Sequence, residues 1–257
     1  MNTNRKTTIS EGGKLANFNR QTAIKDSKMK ITASKLIRWA GLPAMAAGII
    51  FIAIQPIHPP DILSSVTTST WAVIQSLKFT MALFGLLGIG GIYARQVEET
   101  GWLGLAGYLM LSLFYALTVA FSFTEAFVTP LLATEAPKFV ENILGLAFGT
   151  FGENLGGISG LYLLAAVVFI LGGLLFGIAT FRAGVLPRWA GALLAFGTVS
   201  PAVFSLFLPH PQDRILAVPI GLALIWLGYA LWSERREPAS QPSTGRLSPE
   251  LSQTGAD

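Results

Sequence analysis

The stretch from Trp102 to Ala126 is the feature that most constrains what this chain can fold into. It carries no charge before Glu125, and at about 1.5 Å per helical residue it can cross a hydrocarbon core of about 30 Å. Its polar side chains recur at steps of three or four, which places them on one face of a helix. They are Tyr108, Ser112, Tyr115, Thr118, Ser122 and Glu125. An unpaired polar group in lipid costs free energy, so this face must turn inward and other helices must pack around it.

The composition agrees with a membrane protein. Of the 257 residues, 52% are hydrophobic and only 12% are charged, whereas about a quarter of a soluble domain is charged. The apolar runs predict an all-α integral membrane bundle of six transmembrane helices over residues 35–233. The predicted spans are about 39–57, 71–93, 102–126, 158–180, 189–208 and 215–232. The chain has no cysteine, which excludes disulfides, thiolate nucleophiles and thiolate metal sites.

Both ends of the chain are polar. Residues 1–34 are basic and show no apolar periodicity, and residues 234–257 are rich in Ser, Pro, Gly and charge. We therefore predict two disordered cytoplasmic tails, with either Met1 or Met29 as the start of translation. Between the third and fourth predicted spans, residues 127–157 form the longest internal connection. Its apolar middle, residues 139–151, predicts a short helix that lies at the membrane interface or folds back among the spans.

The distribution of charge predicts the orientation. Basic residues concentrate in both tails and in the loops that contain Arg95 and Arg182, and these four segments fall on one side of the predicted spans. The opposite side holds Asp61 and the acidic 127–157 connection. By the positive-inside rule both termini are cytoplasmic. Five of the six tryptophans lie toward the cytoplasmic span ends, and Trp71 marks the outer end of the second span, as in an aromatic belt.

Four short motifs resemble a known family. They are Tyr93-Ala-Arg-Gln, Gly101-Trp-Leu-Gly-Leu, Glu125-Ala-Phe-Val-Thr-Pro and Leu186-Pro-Arg-Trp-Ala-Gly. With these motifs the chain, over roughly residues 35–233, resembles uncharacterised bacterial multi-pass membrane proteins of unknown function. The resemblance implies an all-helical fold in the bacterial cytoplasmic membrane. It implies no activity, cofactor or catalytic residue.

Lys78 is the one charge well inside a predicted span, and an ionisable residue inside a membrane is a candidate functional group. In an antiparallel pair of helices its depth lies opposite Thr118 and Ser122, and a lysine that extends outward reaches Glu125. Two interpretations stay open. One is a polar pocket in the outer half of the bundle, and the other is an ion pair that locks two helices. The candidate residues are Gln75, Lys78, Tyr115, Thr118, Ser122 and Glu125.

The two histidines define a second, weaker candidate. His58-Pro-Pro-Asp61 and His210-Pro-Gln-Asp213 repeat one pattern in two outer loops. Imidazole and carboxylate are ligands for zinc and related ions, but proline beside polar residues is also ordinary turn chemistry. We predict no metal and no cofactor.

Enzymatic activity has little support in the sequence. A serine nucleophile at Ser159 would need an imidazole base within hydrogen-bond reach, and the sixth predicted span contains no histidine. We therefore predict a protein that is not an enzyme. Its function is that of a small transporter or sensor, or alternatively that of a structural or interaction subunit of a membrane complex. The expected partners are the lipid bilayer and either another membrane protein or a second copy of the chain. No basic, aromatic-rich surface for nucleic acid is present in the sequence.

Overall fold

The computed structural model describes residues 31–146, 155–205, 207–208 and 211–234. Over these ranges the regular structure is helical throughout, so the predicted all-α fold is confirmed. The helices are α1 (Ala33–Trp39), α2 (Gly41–Ala53), α3 (Leu63–Val66), α4 (Ser69–Arg95), α5 (Val97–Phe123), α6 (Thr129–Glu135), α7 (Pro137–Leu146), α8 (Gly157–Ala183), α9 (Arg188–Phe204) and α10 (Ala217–Ser233). A π-helical turn, Thr124–Val128, joins α5 to α6, and 3₁₀ turns occur at Gln55–Ile57 and Gln212–Leu216.

Five helical segments are long and apolar enough to cross a membrane. They are Ala33–Ile57, Ser69–Arg95, Val97–Glu135, Gly157–Ala183 and Gln212–Ser233. The remaining long helix of the described residues, α9, has 17 residues and contains Pro201. The structure thus supports an integral membrane protein.

Six helices form a closed ring, which we call the six-helix ring. Helices α2, α4, α5, α8, α9 and α10 each pack on the next one in this order, and α10 packs on α2 to close the ring. Neighbouring helices are antiparallel. On α4 and α5, for example, Tyr93 stacks on Tyr108 while Phe79 contacts Phe123 further along.

Glycines bring the backbones together at five of the six interfaces of the ring, all except that between α4 and α5. A Cβ atom added to Gly228 of α10 would lie 2.6 Å from the carbonyl oxygen of Gly41 on α2, so only a residue without a side chain fits there. Small residues in membrane helices permit this close approach, which increases van der Waals contact. Equivalent contacts are Gly48 on Gly221, Gly88 on Ala44, Gly172 on Met110 and Leu111, Gly177 on Ala195 and Gly197 on Ile220, whereas Gly85 makes room for the Tyr115 ring.

The centre of the six-helix ring is filled by side chains. A cavity of about 20 Å³ remains there, and it is lined by Phe51, Met81, Phe114, Tyr115, Phe169, Ile220 and Leu224. Such a volume holds about one water molecule. This conformation therefore has no continuous path through the part of the ring that these side chains occupy.

Short helices cover one end of the ring, which we call the capped end. Helices α3, α6 and α7 meet there around a small apolar cluster of Val66, Trp71, Ala133, Val140 and Leu144. Helix α7 corresponds to the helix predicted over residues 139–151. It begins earlier, at Pro137, and residues 147–151 lie outside the described part of the chain. The opposite end, where α1 begins and α10 ends, is called the terminal end.

Trp71 differs from its predicted role. We expected it at the outer membrane interface, but it is fully buried under the cap at the start of α4. Its indole N–H has a hydrogen-bond partner inside the protein, which removes the reason for an interfacial position. The tryptophans of the terminal end do face outward, since Trp39, Trp102 and Trp189 are 65%, 85% and 69% exposed.

The two tails lie almost wholly outside the described residues. Helix α1 begins at Ala33, just inside the tail predicted over residues 1–34, because the Thr32 hydroxyl caps it by accepting a hydrogen bond from the Lys35 N–H at 3.3 Å. Residues 1–30 and 235–257 lie outside the described ranges, so the tail predictions stay predictions.

Candidate functional site

Lys78 and Glu125, predicted to meet if the lysine extends outward, are in contact beneath the capped end. The Lys78 Nζ atom lies 3.2 Å from Glu125 Oε2, and the two side chains are 25% and 14% exposed. The other carboxylate oxygen, Oε1, accepts a hydrogen bond of 3.1 Å from the Tyr162 hydroxyl. Residues of α4, of the π-helical turn and of α8 therefore share one carboxylate. We call Lys78, Glu125 and Tyr162 the carboxylate cluster.

The backbone at Glu125 is irregular for a reason visible in the sequence. Within the π-helical turn the Thr129 N–H donates to the carbonyl of Thr124 instead of that of Glu125. The next residue, Pro130, has no N–H to donate. The Glu125 carbonyl is thereby left without a backbone donor, and single π-helical turns of this kind frequently occur at functional sites.

Two side chains take the place of the missing backbone donor. The Trp71 indole N–H donates to the Glu125 carbonyl oxygen at 2.8 Å, and the Thr129 hydroxyl donates to the same oxygen at 2.9 Å. Trp71 comes from the first turn of α4, so this contact ties the irregular backbone to the helix that also carries Lys78. The position of the Glu125 carboxylate is thus held through both its side chain and its backbone.

A second polar group lies next to the carboxylate cluster at the capped end. The Arg214 guanidinium donates to the His58 carbonyl oxygen at 3.1 Å and lies 3.4 Å from Asp61 Oδ2. The His58 ring meets the Trp71 ring edge-on, with centroids 6.3 Å apart. Burial, and then the positive charge of Lys78, lower the pKa of His58 below its usual value of 6.5. The loop after α2 and the turn before α10 therefore both face the site.

The other predicted residues are only partly brought into this site. Tyr115 is buried in the centre of the six-helix ring against Gly85, and Thr118 donates to its own helix at the Phe114 carbonyl. Ser122 is buried. Among the described residues, three have buried side-chain atoms without a hydrogen-bond partner: Gln75 through both amide atoms, Ser112 through its hydroxyl and, away from this site, Gln96 through its amide oxygen.

The predicted pocket is therefore in part a packed interface. Thr118 has satisfied its hydroxyl within α5, and Tyr115 serves the ring centre, so neither side chain contributes a hydrogen bond to the carboxylate cluster. Gln75 is different, because it lies one turn before Lys78 on the same face of α4. The residues of the predicted set that the structure brings together are Lys78 and Glu125.

Sequence reasoning missed Tyr162 and the inward role of Trp71. Tyr162 lies in the apolar sequence of α8, five residues after its first residue, and a hydroxyl inside such a run was a signal for a buried partner. It stacks on Phe121 of α5, with ring centroids 4.1 Å apart, and this contact places its hydroxyl at Glu125. No spacing rule within one helix could have linked α8 to α5.

The structure brings the two loops of the histidine–aspartate pattern into contact, since Arg214 contacts both the His58 carbonyl and Asp61. Asp61 is paired with Arg214, and His210 lies outside the described residues. Among the residues that are described, no three His, Asp or Glu side chains come close enough to hold a metal ion together.

Comparisons with protein-family models, curated proteins and solved structures find no match. An ionised carboxylate between an ammonium group and a phenol can accept a proton, exchange its cationic partner or lock three helices together. These are the chemical options that the arrangement offers.

Proposed function

We propose that the chain is a six-span protein of the bacterial cytoplasmic membrane, with α9 as its fifth span and both termini in the cytoplasm. Helix α9 supports this because it packs between α8 and α10 in the ring as the other spans do. The described basic residues also favour it. Lys35, Arg38, Arg95, Arg182 and Arg188 all lie at the terminal end, which the positive-inside rule assigns to the cytoplasm.

The orientation is testable because the chain has no cysteine of its own. In Thr134→Cys, an exposed site on α6 at the capped end, a membrane-impermeant maleimide should label intact cells. In Arg182→Cys, at the terminal end, labelling should require permeabilised cells. The reverse pattern, or labelling of both variants in intact cells, would overturn the proposed topology.

We propose further that the carboxylate cluster is the working site of a small transporter or sensor. The observation that carries this is that Glu125 is shared by Lys78 of α4 and Tyr162 of α8 while standing on a π-helical turn after α5. Changing the charge of this one group alters the contacts of three helices at once. A site of that kind converts a local event, such as protonation or ligand binding, into a movement of helices.

The closed centre of the ring limits the ways in which such a protein could move a solute. Aromatic and aliphatic side chains leave a central cavity of about 20 Å³, which is room for about one water molecule. A solute can cross only if helices move, so a standing open pore does not fit. Alternating access or a signalling change of shape does fit, because both use at least two arrangements of the helices.

The alternative is a structural or interaction subunit in which the same cluster only locks the helices. A second long-range ion pair favours it, since Arg95 donates twice to Glu234 at 2.6 Å and ties α4 to the end of α10 with no link to the carboxylate cluster. This second ion pair thus holds two helices together at a distance from the carboxylate cluster.

A distance measurement distinguishes the two functions. Spin labels on Ala72→Cys of α4 and Leu161→Cys of α8 would flank the carboxylate cluster from exposed positions. For a transporter or sensor, Glu125→Gln should shift the distribution of distances between the labels. Glu135→Gln, which removes an exposed carboxylate on α6, should leave it unchanged. If Glu125→Gln is less stable but the distribution of distances between the labels is unshifted, the working-site proposal is contradicted. That result would support the alternative, in which the cluster only locks the helices.

A further inference from the structure

The burial of Gln75 lowers the stability of this fold. It is fully buried, and neither its amide nitrogen nor its amide oxygen has a hydrogen-bond partner among the described residues. A buried polar group without a partner costs stability, and a leucine of similar size would avoid that cost. Gln75 lies one turn before Lys78, so its unused donors and acceptor are on the same face of α4 as the Lys78 side chain of the carboxylate cluster.

The unused groups indicate what kind of molecule would satisfy them. The Gln75 amide offers an N–H₂ donor and a carbonyl acceptor, and Lys78 offers a positive charge. A carboxylate can accept hydrogen bonds from both the Gln75 Nε2 and the Lys78 Nζ atoms. A hydroxyl group on the same molecule can then donate to Gln75 Oε1. On the basis of the proposed working site, we infer that the carboxylate cluster binds a small hydroxy-monocarboxylate together with one proton.

The proton follows from the charge balance of the site. Lys78 and Glu125 cancel each other, and a bound anion would leave one uncompensated negative charge in a poorly hydrated place. Protonation of Glu125 from the water at the capped end restores neutrality and releases Lys78 to the incoming carboxylate. The protonated Glu125 keeps a partner, because the Tyr162 hydroxyl can still donate to its carbonyl oxygen. The ligand and the proton therefore bind together.

The charged groups around the site agree with this exchange. From the loop after α2, His58 and Asp61 face the site, and Arg214 faces it from the turn before α10. Asp61 and Arg214 form their own pair, so they add little net charge. Lys78 and Glu125 are therefore the groups whose partners change when an anion enters.

Calorimetry with glycolate, the smallest hydroxy-monocarboxylate, tests the inference on the purified full chain in detergent. Titrations in two buffers of different ionisation enthalpy count the protons taken up. We expect one proton per glycolate bound by the wild type. We expect none with Glu125→Gln, which resembles the protonated state and should bind glycolate without acidification. Acetate lacks the hydroxyl group and should bind about tenfold more weakly, as expected for the loss of one hydrogen bond.

Two variants distinguish a specific loss of glycolate binding from a failure to fold. Gln75→Leu should raise the unfolding temperature in the absence of ligand and abolish glycolate binding, a combination that a merely damaged protein does not give. Glu135→Gln should bind as the wild type does. Glycolate binding without proton uptake, equal affinity for glycolate, acetate and chloride, or no glycolate binding by either the wild type or Glu125→Gln would overturn the inference. The spin-label distances test the working site without glycolate, so the two proposals can fail separately.

Discussion

The ion pair between Lys78 and Glu125 allows a quantitative prediction about stability. At the observed 3.2 Å, two unit charges attract each other by about 5 kcal/mol for an effective dielectric constant of about 20, and the cost of removing both from water offsets much of this. Loss of one partner from a fully buried pair costs about 3–5 kcal/mol. Because Lys78 is a quarter exposed and Glu125 is 14% exposed, we expect about 2–3 kcal/mol for Lys78→Met.

The two single substitutions should not be equal. Lys78→Met leaves an ionised carboxylate whose remaining hydrogen-bond donor is Tyr162. Glu125→Gln keeps an oxygen that can accept from Tyr162, so it should cost about 1–2 kcal/mol. The double variant removes both charges and should return to within about 1 kcal/mol of the wild type, which corresponds to a coupling free energy of about 2–5 kcal/mol.

The measurement is the free energy of unfolding of the four proteins in mixed micelles, with Glu135→Gln as a control that should match the wild type. Strictly additive losses would show that the two charges do not stabilise each other and would refute the reasoning. Single variants as stable as the wild type would show that the fold does not need the pair at all.

Three further predictions concern the ring and its capped end. Gly48→Ala should destabilise the protein by about 1–3 kcal/mol because the new methyl group overlaps a backbone carbonyl of α10, whereas Gly160→Ala, which meets open space, should be neutral or stabilising in the same unfolding assay. Tyr162→Phe should cost about 1–2 kcal/mol through the lost hydrogen bond to Glu125, and an unchanged unfolding temperature would contradict that bond. Because the pKa of His58 is lowered in the folded protein, the unfolded chain binds more protons than the folded protein as the pH falls through 6.5. Stability should therefore drop below that pH, and His58→Gln should flatten the curve of unfolding temperature against pH.

The membrane fold and the pairing partners were accessible from periodicity and depth. Uncharged runs predicted the long helices. The polar face of the third predicted span led us to expect a helix that the others surround, but α5 is one member of the six-helix ring, with α4 and α8 as its neighbours. Counting residues from the helix ends placed Lys78 opposite Thr118 and Ser122, within outward reach of Glu125, and the structure has Lys78 and Glu125 3.2 Å apart. These predictions were possible because an α-helix has a fixed rise per residue and because an unpaired charge in lipid costs free energy, so it pairs with another charge.

The remaining features depend on contacts between helices distant in sequence. The position of Tyr162 next to Glu125 follows from the order of helices around the ring, which hydropathy does not encode. Pro130 was a local signal for the π-helical turn. The sequence did not show that the Glu125 carbonyl oxygen, left without a backbone donor, would accept a hydrogen bond from the Trp71 indole. Thr118 shows the opposite case, since its hydroxyl donates within its own helix, a contact that leaves no signal for a partner on another helix.

The closure of the ring between α2 and α10 has a consequence for biosynthesis. The glycine face of α2 is made first, and its partner, the face of α10 that carries Gly221 and Gly228, is made last. While the intervening helices are being inserted, Gly41 and Gly48 have no protein backbone to pack against. The ring therefore stays an open arc until α10 has been inserted, and a chain that lacks α10 leaves the glycine face of α2 without its partner.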